Sequence, residues 1–165
     1  MGVRAGQGRP GLSWNELTPI ERLDAFHGGV AHRQSATAVL GPLPGRVEGG
    51  TALYDSVLAA YQTMRSSFDP NRINSVVVLT DGRNDAPGGL TLDQLLARLK
   101  QLSDPDRRVL VVTVGMGPDA DATALRAIST ATGAKSYLAR NPADIDAVFL
   151  DSILSRKCTA TGCTG

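Results

Sequence analysis

Apolar and polar positions keep a regular rhythm over most of the chain. Leu53, Val57, Tyr61 and Met64 recur at helical spacing with Leu58 beside them. That helix must end near Phe68-Asp69-Pro70, because proline disfavours the helical conformation in the residue before it. Ser75 to Thr80 then reads Ser-Val-Val-Val-Leu-Thr, an unbroken run that predicts a strand buried on both faces, as in parallel sheets. Thr91 opens a second helix with Gln94 at the capping-box position, and Leu92, Leu95, Leu96, Leu99 and Leu102 line its inner face. Arg108 to Val114 is a second apolar strand running into Gly115-Met116-Gly117. A third helix is predicted over about 121–132 with Leu125 and Ile128 inward and Gly133 at its stop. Ser136-Tyr137-Leu138 makes a short strand. Asn141 to Asp144 caps a last helix whose face is Ile145, Val148, Phe149 and Ile153. Helices and strands in strict alternation call for an α/β fold, an open and mostly parallel sheet with helices on both faces.

The first 48 residues are patterned differently. Residues 1–11 are rich in Gly and Arg. Thr18-Pro19-Ile20-Glu21 has the form of a helix start: Thr18 can cap, Pro19 suits the first helical position and Glu21 completes a capping box. Leu17, Ile20, Leu23 and Phe26 follow at spacing three, and Gly28-Gly29 is a stop signal. Turn signals at Gly41-Pro42 and Pro44-Gly45 come next, with only a weak apolar pattern around Ala36 to Leu40. The organisation expected is a poorly patterned leader over 1–48 with one short helix, an α/β body over 49–155 and a Cys-containing tail over 156–165.

Composition narrows the function classes. With 165 residues, 42% hydrophobic and 20% charged, the chain can bury a core of its own. Its net charge of +1 argues against a polybasic nucleic-acid binder. No apolar run approaches the roughly 18 residues of a membrane helix, and the first 30 residues lack the apolar stretch of a signal peptide. Cys158 and Cys163 are too few for a zinc-ribbon site. They can close a small disulfide loop, which would imply an oxidising compartment, or stand as exposed thiols.

Ligands of open α/β sheets bind outside the carboxyl ends of the strands. Asp81 sits there, directly after the most apolar strand. A partly desolvated carboxylate at such a place calls for a cation or for several hydrogen bonds. It can therefore ligate Mg²⁺, which prefers oxygen and keeps waters, or serve as a turn residue accepting backbone N–H bonds. Gly49-Gly50-Thr51 belongs to the same edge, with Thr51 either a ligand or a helix N-cap. Gly115-Met116-Gly117 lacks the third glycine of a dinucleotide fingerprint, and no phosphate-binding G-x-x-x-x-G-K-[ST] occurs. His27 and His32 lack a ligand pattern and read as surface histidines. Both precede the αβ body, which argues against a Ser-His-Asp triad. A metal-dependent hydrolase using Asp81 and Asp85 is the rival from the enzyme class, weakened by the lack of a nucleophile–base pair. An inactive domain fragment is a third reading.

Three segments occur in order: Gly-Gly-Thr-Ala-Leu-Tyr-Asp at 49–55, Val-Val-Leu-Thr-Asp-Gly at 77–82 and Val-Thr-Val-Gly-Met-Gly at 112–117. Together they resemble the von Willebrand factor type A, or integrin I-like, domain, in its bacterial extracellular form. The resemblance covers about residues 49–155. It implies a non-catalytic protein-interaction module with a metal-ion-dependent adhesion site. In that site a divalent cation is held by a D-x-S-x-S loop, a Thr and a further Asp, and a partner's acidic side chain takes the remaining position. Thr51 matches the family's Thr and Asp81 its last Asp. No D-x-S-x-S occurs in this sequence, and no first family strand is legible in 1–48. The resemblance therefore implies a domain incomplete at its N-terminus, with an uncovered sheet edge and a cation site reduced to Thr51 and Asp81. Mg²⁺ binding would be weak or absent, and the setting extracytoplasmic or cell-surface. No nucleic-acid partner and no membrane span are expected.

Overall fold

A computed structural model describes residues 16–42, 50–154, 157–159 and 162–164. The chain divides into two compact units, Met1–Gly50 and Thr51–Gly165.

In the first unit the helix expected from Thr18 does not form. Residues 16–25 run through bends and turns. Two short antiparallel strands follow, β1 (Phe26–His27) and β2 (Val30–Ala31), and then α1 (His32–Leu40). The reason lies in Gly28 and Gly29, whose φ values are +59° and +84°. Two consecutive positive φ angles make the two-residue turn that matches the twist of a hairpin, so the pair reverses the chain instead of stopping a helix. Glu21 is not a capping-box residue either. Its carboxylate reaches His27 Nε2 at 2.7 Å and His32 Nδ1 at 2.8 Å. His27 is exposed, as expected, but His32 is buried. Ile20, Leu23 and Phe26, expected on one helical face, stand exposed instead.

The second unit follows the predicted alternation. It comprises α2 (Leu53–Ser66), β3 (Ser75–Thr80), α3 (Leu92–Leu102), β4 (Leu110–Met116), α4 (Ala122–Ala131), β5 (Ser136–Ala139) and α5 (Ile145–Leu154). A 3₁₀ turn, Pro142–Asp144, leads into α5. After it come two short antiparallel strands, β6 (Lys157–Thr159) and β7 (Gly162–Thr164). The main sheet is parallel, in the order β3-β4-β5, with Ser75 opposite Leu110 and Thr113 opposite Ser136.

Central β4 is buried along nearly its whole length, as its apolar sequence demands. One pleat face, with Val111, joins Val57 and Tyr61 of α2, Leu95 and Leu99 of α3 and Leu125 and Ile128 of α4 in a single core. The alternate residues Leu110, Val112 and Val114 are equally buried, and α5 packs on β4 and β5. The apolar run of β3 suggested the same two-sided burial. Instead β3 is the outermost strand of the sheet among the described residues. Its three valines are half-buried and Leu79 is 45% exposed.

Local signals succeed where they are self-contained. Thr91 Oγ1 accepts the Gln94 N–H and Gln94 Oε1 accepts the Thr91 N–H, completing the capping box of α3. Asp121 caps α4 by accepting from Thr123 and Ala124. In mid-sheet the buried Thr113 hydroxyl lies 3.0 Å from the Leu125 carbonyl oxygen and 2.9 Å from the hydroxyls of Ser129 and Ser136.

Candidate functional site

The rim at the carboxyl ends of β3 and β4 is built from three segments: Gly50–Ala52 before α2, the 81–90 loop after β3, and the turn after β4. The start of α2 explains how the first two meet. Its N-cap residue, Ala52, has no side chain able to accept the free N–H groups of the first turn. The acceptor comes from the loop, thirty positions away: Asn84 Oδ1 takes the Tyr54 N–H at 3.1 Å. The Asp85 N–H donates to the Thr51 carbonyl oxygen at 2.8 Å. Asp55, in the first turn of α2, accepts the Leu90 N–H at 3.2 Å through Oδ2. Its carboxylate also complements the positive end of the helix.

Gly89 is where this seam is tightest. A Cβ there would stand 2.5 Å from Asp55 Oδ2 and 3.2 Å from Ala86 Cβ, so only glycine fits without a shift. At the other end of the loop, Thr80 Oγ1 lies 3.3 Å from the Gly82 nitrogen and 3.2 Å from its carbonyl oxygen, pinning the turn that carries Asp81.

Thr51 and Asp81 are therefore carried by neighbouring segments. A Cβ on Gly82, the residue after Asp81, would lie 3.7 Å from Thr51 Oγ1. Both residues are exposed. Thr51 stands one position outside the α2 N-cap, and its hydroxyl has no hydrogen-bond partner among the described residues. The Asp81 carboxylate likewise accepts no hydrogen bond and makes no ion pair among them. Without other partners among the described residues, the two are hard oxygen donors of the kind a divalent cation accepts. Among the described residues, no group of three or more His, Cys, Asp or Glu side chains is arranged to hold a metal ion.

Other rim residues have structural work. Gly115 is a packing position: a Cβ there would meet Leu125 Cδ1 and Leu138 Cδ2 at 2.9 Å. Gly117, with φ of +75°, turns the chain and donates its N–H to the Ala139 carbonyl oxygen. Burial pushes the Tyr54 phenol above its ordinary range, and the Asp121 carboxylate adds to the effect. Asn84 was legible in the sequence only as part of a polar loop. No local signal marks it as the acceptor for a distant helix.

A family model described as the von Willebrand factor type A domain matches residues 29–151, about three quarters of the chain. The matched stretch begins upstream of the Gly49-Gly50-Thr51 motif. No curated protein and no solved structure matches the chain.

Proposed function

The chain belongs to the von Willebrand factor type A family, and on that premise we propose that it is a non-catalytic binding module working through the rim at Thr51 and Asp81. The family generally serves protein interaction and adhesion. The observation that carries the reading is the hydrogen-bonded seam between the 81–90 loop and the start of α2. It sets Gly82 beside Thr51 Oγ1 and leaves the Thr51 hydroxyl and the Asp81 carboxylate without other partners among the described residues. Mg²⁺ would be held by these two oxygens and keep most of its waters, a coordination that Mg²⁺ tolerates. An acidic side chain of a protein partner would then displace one water. With two protein ligands the affinity is weak.

No helix among the described residues is long and apolar enough to cross a membrane. The setting we propose is extracytoplasmic. Its support is the backbone register of β6 and β7, which makes Cys158 and Cys163 direct cross-strand partners. Antiparallel partners have Cα separations of about 4.5–5.5 Å, inside the range a disulfide requires.

Calorimetric titration with Mg²⁺ and Mn²⁺ tests the site. Millimolar binding that Asp81→Ala and Thr51→Ala each abolish is the expected result. Micromolar binding, or binding indifferent to both substitutions, would overturn the assignment. A short Glu-containing peptide supplied with and without Mg²⁺ then tests the partner chemistry. It should bind only with the cation, and only to the chain that carries Asp81.

A further inference from the structure

Two exposed surfaces in the second unit complement one another and play no part in the rim. The first is a groove of about 540 Å³ between α3 and α4. Leu96, Ala127 and Ala131 give it an apolar lining, and Lys100 and Arg126 lie along it. Both cations are exposed, and neither makes an ion pair or a side-chain hydrogen bond among the described residues. The second is the outer side of α5. Ala147 and Leu150 are three apart and so share a stripe; Leu150 is 56% exposed. Asp146, four positions before Leu150, and Asp151, four positions after Ala147, flank that stripe, exposed and without ion pairs among the described residues. One surface is apolar with two cations unpaired among the described residues. The other is an apolar helical stripe with two carboxylates unpaired among the described residues.

We propose that α5 of one copy docks in the α3–α4 groove of a second copy. A helix laid into a groove through an i, i+3 apolar stripe is a recurrent mode of recognition. The charges favour this occupant, since Asp146 and Asp151 bring to the groove the sign that Lys100 and Arg126 lack. Within one chain α5 packs on β4 and β5, and α3 and α4 are not among the elements it packs against, so its outer side is taken up by a second copy and not by the chain's own groove. The contact joins unlike surfaces, so it is heterologous and propagates as a ring or an open filament. It does not depend on the cation-site reading.

Sedimentation velocity of the full chain over a concentration series is the test. The wild type should self-associate, and added salt should weaken the association by screening. Lys100→Glu with Arg126→Glu in one chain, and Asp146→Lys with Asp151→Lys in another, should each weaken it by about tenfold or more. Circular dichroism melts of both variants should match the wild type, since the positions are exposed. Mixing the two variants should restore association, because each reversed groove then meets a reversed helix. A wild type that stays monomeric overturns the proposal, as does a mixture that fails to recover. Association that ignores the charge reversals but is lost in Leu79→Lys would also overturn it, in favour of pairing along the β3 edge.

Discussion

Asn84→Ala tests the seam that builds the rim. The substitution removes the Oδ1 acceptor from the Tyr54 N–H, a bond of 3.1 Å, and Ala52 offers no replacement. Tyr54 is only 9% exposed, so water has poor access to the freed donor. Loss of a helix cap costs about 1 kcal/mol, and a stranded buried donor brings the total to about 1–2 kcal/mol. For a unit of the size of Thr51–Gly165, each kcal/mol lowers Tm by about 4 °C, so a fall of about 4–8 °C is expected. Differential scanning calorimetry measures it directly. Asn84→Asp is the informative companion. It retains an oxygen acceptor and places a negative charge at the positive end of α2, so it should melt within about 2 °C of the wild type. An alanine variant as stable as the wild type would mean that the bond stabilises nothing. An aspartate variant as unstable as the alanine one would mean that Asn84 acts through something other than its acceptor.

Gly89→Ala forces a methyl group against Asp55 Oδ2 and Ala86. Overpacking of this kind costs about 1–3 kcal/mol, readable by urea titration, and Asp55→Asn in the same chain should recover none of the steric part. Burial holds the Tyr61 phenol above its ordinary range. Its neutral form is therefore favoured in the fold: the stability is complete below the unfolded pKa of about 10 and is lost as pH rises through the folded value. Tyr61→Phe should flatten the alkaline decline in Tm, and an unchanged decline would assign it to other groups. Cys158 and Cys163 should become linked on incubation with glutathione disulfide, leaving the chain two hydrogens lighter with two glutathione molecules released. Intact-mass measurement after alkylation decides, and two alkylated cysteines would refute the pairing.

The αβ alternation of the second unit was legible because each of its signals is local. The capping box of Thr91 and Gln94, the Pro70 stop and the leucine stripe of α3 need no distant partner to act. The same grammar failed at Thr18 to Glu21. A capping box there would hold Glu21 to its own turn, whereas its carboxylate bridges His27 and His32 once Gly28-Gly29 reverses the chain. The outer position of β3 was hidden for a different reason. A run of valines shows that a strand prefers burial, and only the pairing order decides whether it receives it. At the rim, the residue types at 51 and 81 could be read in advance. The Asn84 acceptor could not, because a helix whose own cap residue is alanine gives no hint of which distant side chain will cap it.

The bonds from Asn84, Asp85 and Asp55 would also bear on ligand capture at the proposed rim. Two oxygens on independent loops would have to be immobilised together each time an ion or a partner arrived, at an entropic cost to affinity. Here the loops are already fastened across the helix end, so that ordering happens once, when the domain folds. A weak site on this chain would owe its weakness to the number of its donors and not to their wandering.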